Sequence, residues 1–274
     1  MASVALRVLS WNLMHGRAVP SAGHDLLAEF AEALSGWEWD LALLQEVPPW
    51  WPALLGEALG ASARLVLTSR NSLLPLRRAV ATRWPDAIKS NGGGANAILA
   101  RGPAIALHRT RRLCIRPERR WVHAVALDCG VWVANLHATV HDEAAALRDG
   151  RLAAKAVLRW AGVRRGVATD AAGGAGAGGA AAVGAAGVGE PAAVVLGGDF
   201  NVRELSLPGF VHAGGHDVDH VFVRGLAVRG RCETLERGRL SDHAPVLVTL
   251  GGGEEDETAQ KVPNIGTFRA VWPT

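Results

Sequence analysis

The sequence predicts one α/β domain over residues 1–250, followed by a tail over residues 251–274. Three observations carry this reading. Apolar strands alternate with amphipathic helices through the first half, and the middle is strand-rich. Polar motifs on both sides of an Ala/Gly-rich stretch also read as parts of one site. Length alone admits one large domain or two small ones. A chain of 274 residues with 49% hydrophobic content is enough to bury a sizeable core.

In chain order, Val4–Trp11 is an apolar strand. His24–Leu34 has helical spacing, with Leu26, Leu27, Phe30 and Leu34 on one face. Leu41–Leu44 is a short buried strand running into Gln45 and Glu46, and Trp51–Leu59 is a helix after the Pro48-Pro49 stop. Arg64–Thr68 and Ala97–Ala100 are strands, separated by a polar loop that closes in Gly92-Gly93-Gly94. Leu113–Ile115, Trp121–Leu127 and Val131–Leu136 follow, the last two forming an antiparallel hairpin around Cys129-Gly130. Asp142–Trp160 is a long helix, with Leu147, Leu152 and Leu158 among its apolar positions. Gly166–Glu190 is almost wholly Ala, Gly and Val, and reads as a flexible connection inside the domain. Val194–Leu196, Val218–Val223 and Pro245–Leu250 complete the strands. From Gly251 the tail is acidic, then polar, and is expected to be poorly ordered.

Composition narrows the function classes. No apolar run spans a bilayer, and no basic-then-apolar leader opens the chain, so a cytoplasmic protein is expected. Cys114, Cys129 and Cys232 lack metal-ligand spacing and read as buried free thiols rather than a disulfide framework. The net charge of +3 suits an anionic substrate. Only Lys89, Lys155 and Lys261 are lysines; with the heavy use of Ala and Gly, codon bias explains the arginines as well as nucleic-acid binding does.

Six short stretches place carboxylates, amides or histidines at strand ends. They are Ser10-Trp11-Asn12, Leu44-Gln45-Glu46, Asn135-Leu136-His137, Gly198-Asp199-Phe200-Asn201, Asp217-Val218-Asp219-His220 and Ser241-Asp242-His243. Such ends converge where open α/β sheets keep their sites. Taken singly, Asn12 reads as an ordinary turn residue and His137 as a satisfied core histidine, while Glu46 is balanced between ligand and solvated loop charge. Asp199 and Asn201, two apart in extended backbone, point the same way while Phe200 points into the core. The set supplies hard oxygen ligands for Mg²⁺ or Mn²⁺ and histidines for proton or charge work. No serine, cysteine or histidine nucleophile with a base is evident, so direct attack by water is favoured over a covalent intermediate.

In combination these stretches resemble the endonuclease/exonuclease/phosphatase superfamily, the group that includes DNase I, AP endonucleases, neutral sphingomyelinases and inositol polyphosphate 5-phosphatases. The matching pieces, in family order, are LSWNL around Asn12, LLQEV around Glu46, NAILAR from Asn96, VANLHA around His137, LGGDFNV around Asp199, VDHVFV around Asp219 and LSDHAPV around Asp242. The resemblance implies a DNase I-like, four-layered α/β sandwich with two mixed β-sheets packed face to face and helices outside. It implies a Mg²⁺- or Mn²⁺-dependent phosphoesterase. Glu46 would bind the metal, with Asn12 beside it and Asp242 on the metal side. Asp199 would activate the water, and Asn201 would bond a phosphate oxygen. His243, held by Asp219, would contact the scissile phosphate, as would His137; Asn96 joins His137 and Asn201 as substrate-binding. A tyrosine stands at the His137 position in the AP-endonuclease branch, and this chain has no tyrosine.

The substrate stays open between nucleic acid, which is preferred, and a phosphoinositide or sphingomyelin-type ester. Trp50 and Trp51 read as packing before they read as a rim for stacking a base. The run Arg109, Arg111, Arg112, Arg116, Arg119 and Arg120 reads as a solvated face or as phosphate-binding. A non-catalytic, anion-binding member of the fold is the alternative from another class. The presence of Glu46, Asp199, Asn201, Asp219, Asp242 and His243 together argues against it. No protein partner is inferred.

Overall fold

The computed structural model describes residues 5–69, 71–85, 87, 94–162 and 192–251. The connection expected over residues 166–190 and the tail from residue 252 lie outside the described residues.

Two six-stranded sheets form the centre. The first holds β1 (Leu6–Asn12), β2 (Leu41–Val47), β3 (Ser62–Leu67), β4 (Ala95–Ala100), β11 (Ala227–Thr234) and β12 (Val246–Gly251), in the order β11-β12-β1-β2-β4-β3. The second holds β5 (Ile105–Cys114), β6 (Arg120–Leu127), β7 (Trp132–His137), β8 (Val194–Asp199), β9 (Val211–His216) and β10 (Asp219–Arg224), in the order β5-β6-β7-β8-β10-β9. Among the described residues β1–β2 and β7–β8 pair parallel and the other strand pairs antiparallel, so both sheets are mixed. Helices α1 (Leu27–Gly36) and α2 (Trp51–Leu59) cover the first sheet, and α4 (Glu143–Trp160) covers the second. This is the four-layered arrangement expected. A further helix, α3 (Leu74–Arg83), is mostly exposed.

The central strands are apolar on both faces because each sheet is covered twice there. In β1, Leu9 and Trp11 pack under the helices, while Leu6 and Val8 face the other sheet. The layer between the sheets also takes Leu41 and Leu43, Val133, Val195, Val221 and Val223, and Val246 and Val248. Period-two alternation then decides where the polar groups fall. Asn12 continues the inward row of Leu6 and Val8, His137 that of Val133, Asp199 that of Val195, Asp219 that of Val221, and Asn96 that of Ile98. One register therefore fills the interior and sets polar groups at its mouth.

Just below the mouth, Asn135 joins the two sheets. Its Oδ1 accepts from Gln45 Nε2 at 2.8 Å, and its Nδ2 donates to Leu44 O at 2.9 Å and Ala97 O at 2.8 Å. Close approach of the layers also depends on glycine. A Cβ on Gly197 would stand 2.7 Å from Leu43 Cδ1, and one on Gly198, at φ +140°, would stand 1.9 Å from Leu136 O.

Several elements differ from the sequence reading. The loop before Gly94 contains α3, which Pro75 in its first turn helps to start, but its charged composition masked the helix. Strand β5 begins eight residues earlier than Leu113, because an arginine-rich edge strand has little apolar alternation to betray it. β9 and β11 escaped for the same reason, being glycine- and charge-rich. Gly251 closes β12 and does not open the tail. Cys129 is exposed in the β6–β7 turn, and Cys114 and Cys232 are half-buried; all three are free but none is buried.

Candidate active site

Strand direction gathers the motifs. β1, β2, β7 and β8 end at the mouth, bringing Asn12, Glu46, His137 and Asp199. β4 and β10 run antiparallel to β2 and β8, so they begin there with Asn96 and Asp219. The Ser241-Asp242-His243 turn precedes β12 rather than ending a strand, and β12 is antiparallel to β1.

Asp199 lies at the centre and is buried. Its Oδ2 accepts from Asn12 Nδ2 at 2.9 Å and lies 3.5 Å from His137 Nε2 and 3.9 Å from His243 Nε2. Its Oδ1 accepts the Asn201 backbone N–H at 2.9 Å. Burial pushes the Asp199 carboxyl up, against the His243 charge and the hydrogen bonds from Asn12 and Asn201.

His243 is held from behind. Its Nδ1 meets Asp219 Oδ2 at 2.7 Å, which leaves Nε2 facing Asp199 and, at 3.9 Å, Asp242 Oδ1. Burial alone would lower the imidazole pKa. The Asp219 hydrogen bond and charge, then the charges of Asp199 and Asp242, outweigh it and push the ring up to about 9. Its backbone is anchored as well. Trp11 Nε1 donates to His243 O at 3.0 Å, Ser241 Oγ accepts from His243 N at 3.1 Å, and Ser241 Oγ donates to Asn12 O at 2.6 Å.

Glu46 lies within β2 at a left-handed φ of +50°, where the pairing with β4 shifts register between Leu44 and Val47. Its Oε2 lies 3.1 Å from His15 Nε2 and its Oε1 3.8 Å from His137 Nδ1, with the side chain 24% exposed. Burial, then the charge of Asp199, raises its pKa to about 7, while Arg120 and His243 oppose the rise. His137 therefore sits between two carboxylates, Glu46 and Asp199.

The remaining residues take distinct places. Asn12 uses Nδ2 on Asp199 and Oδ1 on the Met14 N–H. Asn201 is not in extended backbone: its φ is +54°, and its Nδ2 donates to Ala138 O at 3.2 Å, although Phe200 is in the core as expected. Asp242 is exposed at the rim. Asn96 is 1% exposed, yet neither its Nδ2 nor its Oδ1 has a hydrogen-bond partner. Trp51 is fully buried against Phe30, so it is packing and not a rim; Trp50 is half-buried, with Arg78 above its ring at 6.0 Å.

One residue, His15, was not singled out by the sequence, and another, Arg120, was named only as part of the arginine run. His15 reaches Glu46 from a turn with φ +55°, and nothing in Met14-His15-Gly16 announces that turn's handedness. Arg120 is buried at the start of β6, with Glu118 3.0 Å away. The available signal was an arginine opening an apolar strand, which separates it from the exposed Arg109, Arg111 and Arg112.

The donor set suits a hard divalent cation. Buried or half-buried carboxylates, all held above their usual pKa, crowd one mouth, and Asp219 Oδ1 has no hydrogen-bond partner. Asp199, Asp219 and His243 each offer a ligand atom within 4.8 Å of the others. Soft cysteine ligands are not among them.

A model of the endonuclease/exonuclease/phosphatase family matches residues 9–243. No curated protein sequence matches. Among solved structures, an endonuclease/exonuclease/phosphatase family protein from Bacteroides thetaiotaomicron superposes with a TM-score of 0.61 at 16% identity, covering 92% of this chain and 96% of its own. The mannosyl-6-phosphatase Bt3783 of the same organism gives 0.60 at 16% identity, over 89% of this chain and 99% of its own. TDP2 from Caenorhabditis elegans gives 0.59 at 16% identity, over 90% of this chain and 74% of its own.

Proposed function

Because the chain belongs to the endonuclease/exonuclease/phosphatase family, we propose that it hydrolyses a phosphodiester, preferentially of nucleic acid, by direct attack of water with Mg²⁺ or Mn²⁺ as cofactor. The observation that carries this is the focus of two imidazoles on one carboxylate. His137 Nε2 and His243 Nε2 stand 3.5 and 3.9 Å from Asp199 Oδ2, and each ring is backed by a second carboxylate, Glu46 or Asp219.

In this reading Asp199 orients the attacking water and takes its proton as the water oxygen bonds to phosphorus. A carboxylate of raised pKa is the better base for that step. The His243 imidazolium, charged by Asp219, donates from Nε2 to a non-bridging phosphate oxygen and offsets the charge that gathers there. His137 binds a second oxygen. Asn201 exchanges its bond to Ala138 O for the phosphate, and the buried, unpartnered amide of Asn96 reaches the substrate beside it. The cation would be held by Glu46, with Asn12 and Asp242 alongside, and would supply charge neutralisation and stabilisation of the leaving oxygen.

A phosphomonoesterase is the second reading. Buried Arg120 beside Glu46 offers an extra positive charge for a terminal phosphate, and one similar structure carries the name mannosyl-6-phosphatase. The two separate on a panel of bis-p-nitrophenyl phosphate, p-nitrophenyl phosphate, plasmid DNA, RNA, inositol phosphates and sphingomyelin with Mg²⁺ and Mn²⁺. Turnover of the diester and of DNA or RNA supports the first; turnover confined to monoesters supports the second. Binding without turnover of any ester would leave only the anion-binding role.

A further inference from the structure

A cavity of about 530 Å³ shares no lining residue with the mouth. It lies on the outer face of the second sheet, between the C-terminal turns of α4 and the edge strand β5. Its volume falls within the roughly 300–1,000 Å³ of ligand sites. The sequence builds it simply. Leu107, Arg109 and Arg111 alternate onto one face of β5, and Ala156, Arg159 and Trp160 share one face of α4. Leu107, Ala126 and Trp132 stand in register across β5, β6 and β7, so a single methyl lies between two large side chains and leaves a trough. Trp160 stacks on Trp132 with ring centroids 6.5 Å apart and planes 26° from parallel. Arg109, Arg111 and Arg159 are exposed, and none has an ion-pair partner among the described residues.

Charges along an edge strand discourage sheet-to-sheet pairing, and that accounts for arginines on β5. It does not account for a third arginine on α4, nor for an indole pair walling the same trough. The arginines also continue beyond β5, through exposed Arg116 and Arg119, to Arg120 beside Glu46. Starting from the reading of the chain as a phosphodiesterase, we propose that this groove binds a single strand of nucleic acid. Arg109, Arg111 and Arg159 hold its phosphates, Trp160 stacks a base, and the basic track leads toward the catalytic mouth. A guanidinium and an indole in one trough match a ligand that alternates phosphate with a flat ring.

The test is fluorescence anisotropy of the full chain in Mg²⁺ with a short fluorescein-labelled oligothymidylate carrying phosphorothioate linkages. Three bound phosphates predict a slope of log K against log salt of about −2, falling to about −0.7 in Arg109→Gln/Arg159→Gln. Trp160→Leu should weaken binding by about 5- to 100-fold, and Trp160→Phe by much less. Hydrolysis of bis-p-nitrophenyl phosphate should be unchanged in all of these, because none touches the mouth. Unchanged affinity in both Arg109→Gln/Arg159→Gln and Trp160→Leu overturns the proposal, even if small-ester hydrolysis stands. So does a loss of binding to phosphatidylserine vesicles in place of the oligonucleotide. Groove-dependent binding without hydrolysis of any ester would retain the groove and reject the catalytic reading instead.

Discussion

Asp219→Asn is the most informative single change, because it keeps the shape behind His243 and removes the charge. The pair meets at 2.7 Å, with side chains 22% and 3% exposed. The ring is pushed up to about 9 from the ordinary 6.5, so its charged form is favoured by about 3 kcal/mol at roughly 1.4 kcal/mol per pKa unit. Asn removes the main upward causes and leaves burial, the largest cause, opposed only by the charges of Asp199 and Asp242. The alkaline limb of kcat/KM should move from near pH 9 to about 6.5 or below. At about pH 8 the imidazolium fraction would fall from about 0.9 to about 0.03, a loss of about 30-fold that acid pH restores. His243→Ala should cost about 10²–10³-fold or more, and the double variant little beyond that. Folding follows the same sign. A raised imidazole pKa stabilises fully below about 6.5, and that stability is lost as pH rises through about 9. The assay is a pH–rate profile for both single variants and the double, with an NMR pH series of the His243 ring. An unmoved alkaline limb, near-wild-type turnover in His243→Ala, or strictly additive losses would refute the pairing.

Glu46→Gln should abolish tight Mg²⁺ binding by calorimetry without unfolding the chain. Since burial raises the Glu46 pKa from 4.5 to about 7, its ionisation costs the metal-free fold stability as pH rises through that window. The metal-free glutamine variant should therefore gain up to about 3 kcal/mol above about pH 7, and denaturant melts at two pH values check it. Gly198→Ala should fail to give a folded, soluble product, because its Cβ would stand 1.9 Å from Leu136 O; a wild-type melting temperature would show that the strands separate more easily than described. Asn135→Leu should cost about 1–3 kcal/mol or more, since it strands the Leu44 and Ala97 carbonyls and Gln45 inside the protein, and urea melts measure it.

The parts of this account that the sequence made legible share one cause. Trp51–Leu59, Asp142–Trp160 and the Trp121–Leu136 hairpin carry strong periodicity, and the structure has α2, α4 and β6–β7 within a residue or two of them. Asn12, Asn96, His137, Asp199 and Asp219 sit at strand ends where alternation puts the last inward position at the mouth, so their convergence followed from Val, Leu and Ile spacing. What stayed hidden depends on features with no periodic trace. His15 needs a left-handed turn to reach Glu46, Asn201 is displaced from extended backbone by φ +54°, and β5 replaces apolar alternation with arginine. The groove beside Trp160 depends on which residues share a row across three strands, and pairing register is not written in any one of them.

Metal-assisted attack of water governed by Asp199 is the proposal on which the other residue roles depend. Its most direct test is the initial rate of bis-p-nitrophenyl phosphate hydrolysis by wild type and Asp199→Asn, each with Mg²⁺ or Mn²⁺ and with excess EDTA. Wild type should turn over in metal and not above background in EDTA, and Asp199→Asn should lose about 10²–10⁴-fold, because its amide cannot take the proton of water. Equal rates with and without chelator, or an Asp199→Asn enzyme as fast as wild type, would contradict it.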